Sequence, residues 1–278
     1  MKNIVIIYHG NCQDGFGGAW AAWKKFGDKA EYLPVKPGAM PEAVIENKEV
    51  YFIDTTPKIE EIKKLIDKNK RVTVIDHHIT GEEAAKLTVE PSFAIKNSGC
   101  VLAWKYFHPQ KPVPKLLEYL EDNDLWRFKI PKSKEVFSFM CSVEFTFKIR
   151  SSIAAILEKP KGRREIIEKG AALLKYEQKL VNEITTKDAE QAEFKGYKIL
   201  IINSPFFQSN IGHVLSKIQP PMGLIWHETD GKIKVSLRSD GTVDVSKIAA
   251  QFGGGGHKAA AGFSFSADDP KPWKLIRE

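Results

Sequence analysis

The chain has 278 residues, enough for one large domain or two ordinary ones, and its 42% hydrophobic and 28% charged residues are typical of a soluble globular protein. Its three scattered cysteines exclude a disulfide framework, no apolar run approaches the roughly 18 residues of a membrane span, and the apolar run at the N-terminus is too short for a secretion signal. We therefore expect a cytoplasmic protein with no membrane partner, whose net charge of +7 favours phosphate-bearing ligands but equally fits an ordinary lysine-rich surface.

Short apolar runs alternate with helical patterns along the first half of the chain. The runs that predict buried strands, because they are apolar and rich in β-branched residues, are Ile4–Tyr8, Val50–Ile53 and Arg71–Ile75. The segments with a helical pattern are Phe16–Phe26, Ile59–Lys70, Gly99–Phe107 and Pro114–Leu120. Strands that alternate with helices predict crossover connections and a mostly parallel sheet.

The second half of the chain changes character at about Phe194. Residues 149–192 are strongly helical in pattern and contain no strand-like run. The later runs that predict strands are Tyr197–Ile202, Gly223–His227 and Lys232–Leu237. We predict an α/β fold with three parts: a parallel-sheet domain with flanking helices at residues 1–150, a helical connector at 151–192 and a smaller α/β domain at 193–278.

Residues of metal-binding type follow three of the predicted strands. They are His9, with Asp14 close behind it, Asp54, and the triplet Asp76-His77-His78. In an open parallel sheet, ligands collect at the carboxyl ends of the strands, so these side chains are expected along one rim. Carboxylates together with imidazoles suit Mn²⁺, Zn²⁺ or Fe²⁺. A single aspartate after a strand more often caps a turn, so the argument depends on three such endings in one half of the chain.

A run of four glycines, Gly253–Gly256, directly precedes His257. Successive glycines let backbone N–H groups approach an anion closely, and an imidazole can add a charge-assisted hydrogen bond. A flexible loop is the alternative, but the apolar segment Ala259–Phe263 follows at once and favours a packed turn. The spacing fits neither a P-loop nor a dinucleotide-binding fingerprint, which argues against a dinucleotide-dependent oxidoreductase.

Together these motifs resemble the DHH phosphoesterase superfamily, named for the triplet that stands here as Asp76-His77-His78. The second half resembles the DHH-associated C-terminal domain, and the segments that carry this resemblance are Val235–Ser239, Val243–Ala249, Gly253–His257 and Ala260–Phe263. The resemblance covers nearly the whole chain, and the combination of motifs in this order is highly specific. It implies a phosphoesterase that uses two metal ions, with Mn²⁺ expected and Mg²⁺, Co²⁺ or Zn²⁺ as alternatives.

The resemblance also implies roles for individual residues. The expected metal ligands are His9, Asp14, Asp54, Asp76, His77 and Asp122. Asp76 is expected to bridge the metals or support the bridge, and His78 to face the substrate phosphate. The fourth motif places its aspartate at Asp122 by register, with Asp124 as the alternative close behind.

Cys12 departs from the family pattern, which has an aspartate at this position of the first motif. Cysteine ligates Zn²⁺ or Fe²⁺ but is a poor partner for Mn²⁺ or Mg²⁺. Either its sulfur is a ligand or one metal site is weakened, and the retained His9 and Asp14 favour the weakened site.

In the C-terminal half, the resemblance implies that Arg238 and His257 hold the substrate phosphate or the nucleotide end. The expected substrate-binding residues are Arg238, Ser239, Gly254, Gly255, Gly256 and His257. The expected catalytic residues are Asp76, His78, Arg238 and His257. The resemblance places the reaction in a cleft between the domains and is compatible with a homodimer.

The expected reaction is two-metal hydrolysis of a phosphate ester in a nucleotide or a short single-stranded oligonucleotide. A processive DNA exonuclease is disfavoured, because the C-terminal domain is compact and no further nucleic-acid-binding domain follows. Phe206, Phe207 and Trp226 are candidates for stacking on a base, although core packing explains them equally well. Two alternatives stay open: an exopolyphosphatase or pyrophosphatase, and a non-catalytic nucleotide-binding homologue, for which Cys12 is the main argument.

Overall fold

The structure is a computed structural model that describes residues 2–276, and the chain forms two compact units, Met1–Leu174 and Lys175–Glu278. The strands of the first unit are β1 (Ile4–His9), β2 (Ala30–Val35), β3 (Glu49–Ile53), β4 (Arg71–Asp76) and β5 (Ser92–Phe93). Its helices are α1 (Gln13–Phe26), α2 (Ile59–Lys68), α3 (Glu82–Ala85), α4 (Gly99–Phe107), α5 (Lys115–Asp124), α6 (Ser133–Cys141) and α7 (Phe147–Glu158). The division between the units falls within the long helix α8 (Pro160–Lys187).

The first unit is a five-stranded parallel sheet in the order β2-β1-β3-β4-β5. Successive side chains on β1 face opposite sides, so Ile6 packs against one layer of helices and Val5 against the other. Because both faces are covered, the central strands are almost continuously apolar, as is usual for parallel sheets. The predicted parallel-sheet domain with flanking helices is confirmed.

The second unit is a seven-stranded mixed sheet in the order β10-β11-β9-β8-β7-β6-β12. Its strands are β6 (Glu190–Phe194), β7 (Tyr197–Asn203), β8 (Met222–Thr229), β9 (Lys232–Ser239), β10 (Gly255–His257), β11 (Ala260–Ser266) and β12 (Lys274–Leu275). The helices α9 (Gln208–Ile218) and α10 (Val245–Ala250) complete it, and Ile248 of α10 packs on one face while Leu215 of α9 packs on the other. The smaller α/β domain predicted from the sequence is confirmed.

Six strands within residues 2–276 were not predicted from the sequence: β2, β5, β6, β10, β11 and β12. Two of them, β2 and β6, lack a strand pattern. β2 carries Pro34 and lies at the edge of its sheet, where a missing N–H group is tolerated. β6 begins at Glu190, inside the range predicted to be helical, and only Ala192 and Phe194 of its five residues are buried. The predicted helix at Ile59–Lys70 ends earlier, at Lys68, because Asn69 turns extended and its side-chain amide bonds two nearby carbonyls.

No helix within residues 2–276 combines the length and the apolar character that a membrane crossing requires. The longest, α8, has 28 residues and carries many charged side chains.

The register of the parallel sheet brings the functional strand ends together. Tyr8 of β1 pairs with Ile53 of β3, and Ile53 pairs with Ile75 of β4. The residues that follow these three positions therefore stand side by side at the carboxyl edge of the sheet. They are His9, Asp54 and Asp76.

The start of α1 lies directly against the end of β1. A Cβ atom built on Gly15 would lie 2.2 Å from the carbonyl oxygen of His9, so only glycine allows this approach. The contact holds Asp14, in the first turn of α1, beside the strand ends.

We predict that Gly15→Ala destabilises the first unit by about 1–3 kcal/mol, the usual cost of forcing an extra methyl group into a packed site. Urea unfolding followed by circular dichroism measures the change. Lys24→Ala, on the exposed side of the same helix, is the matched control and should leave stability close to wild type. Equal stability of Gly15→Ala and wild type would show that β1 and α1 can separate without cost.

Candidate functional site

The centre of the candidate site is Asp54, which follows β3 with a φ of 57°. Aspartate is one of the few residues that enters this left-handed region readily. The residue is 2% exposed, and its two carboxylate oxygens serve different neighbours. Oδ2 lies 3.2 Å from Nδ1 of His9, and Oδ1 lies 3.3 Å from Nε2 of His77. Asp54 therefore links the ends of β1 and β4.

Three carboxylates from separate segments surround one nitrogen of His77. Its Nε2 atom lies 3.3 Å from Asp54, 3.6 Å from Asp124 and 3.7 Å from Asp14, measured to one carboxylate oxygen of each. His77 is 1% exposed. These separations are short enough for the four side chains to share a cation.

The Asp14 carboxylate is held by the N-terminus of α4. Its oxygens accept hydrogen bonds from the backbone N–H groups of Gly99, at 2.7 Å, and Cys100, at 3.0 Å. A helix N-terminus stabilises a nearby negative charge by about 0.3–1 kcal/mol, and by up to about 2 kcal/mol when partly buried. Gly99 is required here, because a Cβ atom would lie 2.7 Å from the Cβ atom of Asp54.

Asp76 lies in the same cluster but is surrounded by hydrogen-bond donors. Its Oδ1 atom accepts bonds from the backbone N–H groups of His77 and His78 and lies 2.8 Å from Nδ1 of His78. Its Oδ2 atom accepts the hydroxyl of Thr56 at 2.5 Å. Asp76 therefore fixes the turn that presents both histidines, and Asp54 occupies the more central position expected of a bridging ligand.

The charges of the cluster are strongly coupled. Burial, followed by the nearby Asp54, raises the pKa of Asp14 to about 6, and burial with the nearby Asp14 raises the pKa of Asp124 well above its usual range. Burial alone would lower the pKa of His77, but Asp54 and Asp124 raise it to about 9. Burial would likewise lower the pKa of His78, but Asp76 raises it to about 10. Crowded carboxylates of this kind favour a bound cation, because like charges at this distance oppose ionisation.

The donor set fits divalent metal ions. Among the residues of the first unit, three groups have their ligand atoms within 4.8 Å of one another: His9 with Cys12 and Asp54; Asp54 with Asp76, His77 and His78; and Asp14 with His77 and Asp124. Asp54 and His77 each belong to two of these three groups, so neighbouring ions could share ligands. Mixed carboxylate and imidazole ligands suit Mn²⁺, Fe²⁺ or Zn²⁺.

Cys12 lies within the first of these groups, as a thiol. Burial raises its pKa well above the usual range, and the carboxylates of Asp54 and Asp14 raise it further. The side chain therefore adds no negative charge where the family pattern has an aspartate. That the metal position at His9 is weakened stays a prediction.

The structure favours Asp124 over Asp122, the reverse of the order predicted from register. The Asp122 carboxylate accepts the backbone N–H groups of Lys129, at 2.8 Å, and Ile130, at 3.2 Å, and it is absent from the metal-type groups found among residues 2–276. Asp124 points to His77 instead. The two residues are two positions apart on α5 and so project about 200° apart around the helix axis.

In the second unit, Arg238 and His257 stand on either side of one residue. Ala260 of β11 pairs with Arg238 of β9 and with His257 of β10. Directly paired residues share a face of the sheet, so both side chains project from the same face, with their backbones roughly 10 Å apart. The Arg238 guanidinium donates to Ser209 Oγ and to the carbonyl of Leu237, and burial lowers its pKa to about 10.

The first two residues of the glycine run end a helix, and binding of an anion by the run as a whole stays a prediction. The N–H groups of Gly253 and Gly254 donate to the carbonyls of Ala250 and Ala249 and end helix α10. Gly254 also allows close packing, because a Cβ atom would lie 2.1 Å from the Gly262 carbonyl oxygen.

The other predicted substrate-binding residues of this unit lie in β10 or serve its turns. Gly255 and Gly256 lie in strand β10. The Ser239 hydroxyl donates to the carbonyl of Val243 and accepts the N–H group of Gly241.

Trp226 is one of the aromatic residues suggested for base stacking. Nζ of Lys271 lies 3.8 Å from its ring centroid, and the ring centroid of Trp273 lies 5.8 Å from it. Phe206 is 70% exposed. The sequence analysis overlooked Trp126, which follows Asp124 by two residues and is 41% exposed. Its signal was present as an aromatic residue directly after the fourth motif.

Comparison with known proteins agrees with this architecture. Residues 208–272 match the family described as the DHHA1 domain. The chain is 31% identical to the uncharacterized protein R106 of Acanthamoeba polyphaga mimivirus, over 94% of this chain and 67% of that protein. It is 24% identical to oligoribonuclease NrnB of Bacillus subtilis, over 74% of this chain but only 56% of that protein.

A solved structure shares the fold. An exopolyphosphatase-related protein from Bacteroides fragilis superposes with a TM-score of 0.53 at 15% identity, over 95% of this chain and 87% of that one.

We predict that Asp124→Asn weakens Mn²⁺ binding at least about tenfold, because it removes a carboxylate beside His77. Asp122→Asn is the matched control. It should keep the Mn²⁺ affinity but lower the free energy of unfolding by about 1–3 kcal/mol, because an amide cannot accept both N–H groups. Titration calorimetry and urea unfolding separate the two effects. Loss of Mn²⁺ binding in Asp122→Asn alone would restore the order predicted from the sequence.

Proposed function

This chain belongs to the DHH phosphoesterase family and is a hydrolase, and from that we propose that it hydrolyses phosphodiester bonds in short single-stranded oligonucleotides with the help of two divalent metal ions. The observation that carries the proposal is the placement of Asp14, Asp54 and Asp124 around Nε2 of His77. The name of the Bacillus subtilis relative, an oligoribonuclease, supports the choice of substrate.

Bound divalent ions would lower the pKa of a water molecule and neutralise charge on the phosphoryl oxygens. The residues proposed to hold them are His9, Asp14, Asp54, Asp76, His77 and Asp124, and the donor types favour Mn²⁺. Asp76 holds the turn that carries His77 and His78. The partly exposed His78 is then oriented by its contact with Asp76 and is proposed to bind a phosphate oxygen as an imidazolium.

The second unit is proposed to bind the substrate rather than the metals. Arg238 is half-buried, its guanidinium is oriented by Ser209, and it shares a face of the sheet with His257. A cation that is already oriented loses little freedom when it binds a phosphate. That the reaction takes place between the two units stays a prediction.

The proposal predicts Mn²⁺-dependent hydrolysis of a five-nucleotide RNA and of the linear diadenylate pApA. Adenosine 3′,5′-bisphosphate, which has no phosphodiester bond, and polyphosphate are the comparison substrates. The RNA and pApA should be hydrolysed fastest, as measured by anion-exchange chromatography of the products. Asp54→Asn should lower kcat at least about 100-fold, the scale on which one group that stabilises developing charge contributes. Asp67→Asn, an exposed aspartate on α2, is the control and should match wild type.

Each outcome of this assay has a definite meaning. Turnover of polyphosphate alone would replace the oligonucleotide proposal with an exopolyphosphatase. Bound Mn²⁺ without turnover of any of the four would contradict the proposed substrate class. Absence of both metal and turnover would support a non-catalytic homologue whose site has been weakened at Cys12.

A further inference from the structure

An aromatic and basic segment directly follows the candidate metal site. Residues 126–134 read Trp-Arg-Phe-Lys-Ile-Pro-Lys-Ser-Lys, with four basic residues and no acidic one. We call this stretch the basic aromatic loop. Two fully extended residues span at most about 7 Å, so the Cα atom of Trp126 lies within that distance of the Cα atom of Asp124.

The loop presents an aromatic surface to solvent. Of the six tryptophans of the chain, all of them within residues 2–276, Trp126 alone is exposed, at 41%. The Phe128 ring lies behind it with the centroids 4.8 Å apart at 70°, and Nζ of Lys134 lies 4.2 Å from the Phe128 centroid. An exposed indole that packs edge-on against a second ring has apolar surface in contact with water, which is unfavourable. Such a ring is suited to stacking against a flat ligand.

The backbone of the loop is held in place by Asp122. The carbonyl of Asp122 accepts the N–H groups of Arg127 and Phe128, and its carboxylate accepts those of Lys129 and Ile130. Trp126 and Phe128 both have positive φ values, 53° and 50°, which bulky residues rarely adopt. A conformation that is unfavourable for two aromatic residues is thus enforced by one aspartate.

The basic side chains of the loop divide into two kinds. The Arg127 guanidinium is committed to structure, because it donates to Glu121 and to the carbonyl of Lys96. Lys129, Lys132 and Lys134 are exposed, but Lys132 forms an ion pair with Glu135 at 3.0 Å and Lys134 lies over the Phe128 ring. Lysines beside a stacking surface are the combination with which proteins bind single-stranded nucleic acids without strict sequence preference.

We propose that the basic aromatic loop is a nucleobase-binding platform, on which Trp126 stacks against a base of the single strand whose phosphate lies at the carboxylate cluster. Lys129 binds a neighbouring phosphate of that strand. This inference rests on the proposed phosphoesterase function and narrows its substrate, because polyphosphate offers nothing for an indole to stack on.

Binding without hydrolysis tests the platform. Fluorescence anisotropy in EDTA, which prevents metal-dependent cleavage, compares a labelled five-nucleotide RNA with an abasic oligomer of the same length and charge. Wild type should prefer the base-containing strand at least about fivefold, the lower end of the contribution of one stacked base. Trp126→Ala should remove the preference and leave the abasic affinity unchanged, and Trp126→Phe should keep most of it.

Matched variants separate stacking from charge and from general aromatic exposure. Tyr176→Ala removes an aromatic side chain that is 61% exposed on α8 and should leave the preference as in wild type. Lys129→Gln should weaken both strands equally and reduce their dependence on salt.

An equal preference in wild type and Trp126→Ala, or no preference in wild type, would overturn the platform. Either result leaves the phosphoesterase proposal standing if the Mn²⁺-dependent assay shows turnover. A preserved base preference without turnover of any substrate would refute the activity and keep the platform.

Discussion

The crowding of carboxylates around the buried His77 is the constraint on which the rest of the first unit depends. Asp14, Asp54 and Asp124 come from the start of α1, the end of β3 and the end of α5, and a fold must bring all three elements to one point. Their mutual repulsion opposes folding unless backbone N–H groups, histidines or a cation compensate it. The structure supplies the first two, through the N-terminus of α4 and the histidines at the ends of β1 and β4. Gly15 and Gly99 allow the elements to approach closely enough for this arrangement, because a Cβ atom at either position would clash with a neighbour.

The strand-end part of the site could be predicted from the sequence because it depends on local facts. A strand is recognised by its apolar run, and parallel strands align their carboxyl ends, so the residue after each run falls on a common rim. The position of His9, Asp54 and Asp76 on this rim could therefore be predicted without further information. The same reasoning identified both sheets and most of the helices, but it missed six of the twelve strands within residues 2–276. Among these, β2 contains a proline and β6 has mostly exposed polar residues, so neither has the pattern of a buried strand.

The remaining part of the site depends on tertiary packing, which a single sequence does not show. The choice between Asp122 and Asp124 is decided by the rotation of α5, which Leu116, Leu117 and Leu120 set when they pack into the core. The helix-ending role of Gly253 and Gly254 could not be predicted for a related reason. Glycines allow an anion-binding loop and a helix end equally well, and the partners of their N–H groups, the carbonyls of Ala249 and Ala250, are visible only in the folded chain.

Many enzymes combine ligand recognition and catalytic chemistry in the same side chains, and in this protein Asp122 separates the two. Because it bonds the backbone of residues 127–130, much of the shape of the loop does not depend on the exposed side chains of Trp126 and Lys129. The metal-type carboxylates, in contrast, lie on regular elements and are held by the sheet and α4. Ligand preference can therefore diverge between descendants of this protein through changes at these two exposed positions while the chemistry is inherited intact. The same independence makes the loop a natural position at which to graft new recognition onto an unchanged hydrolytic centre.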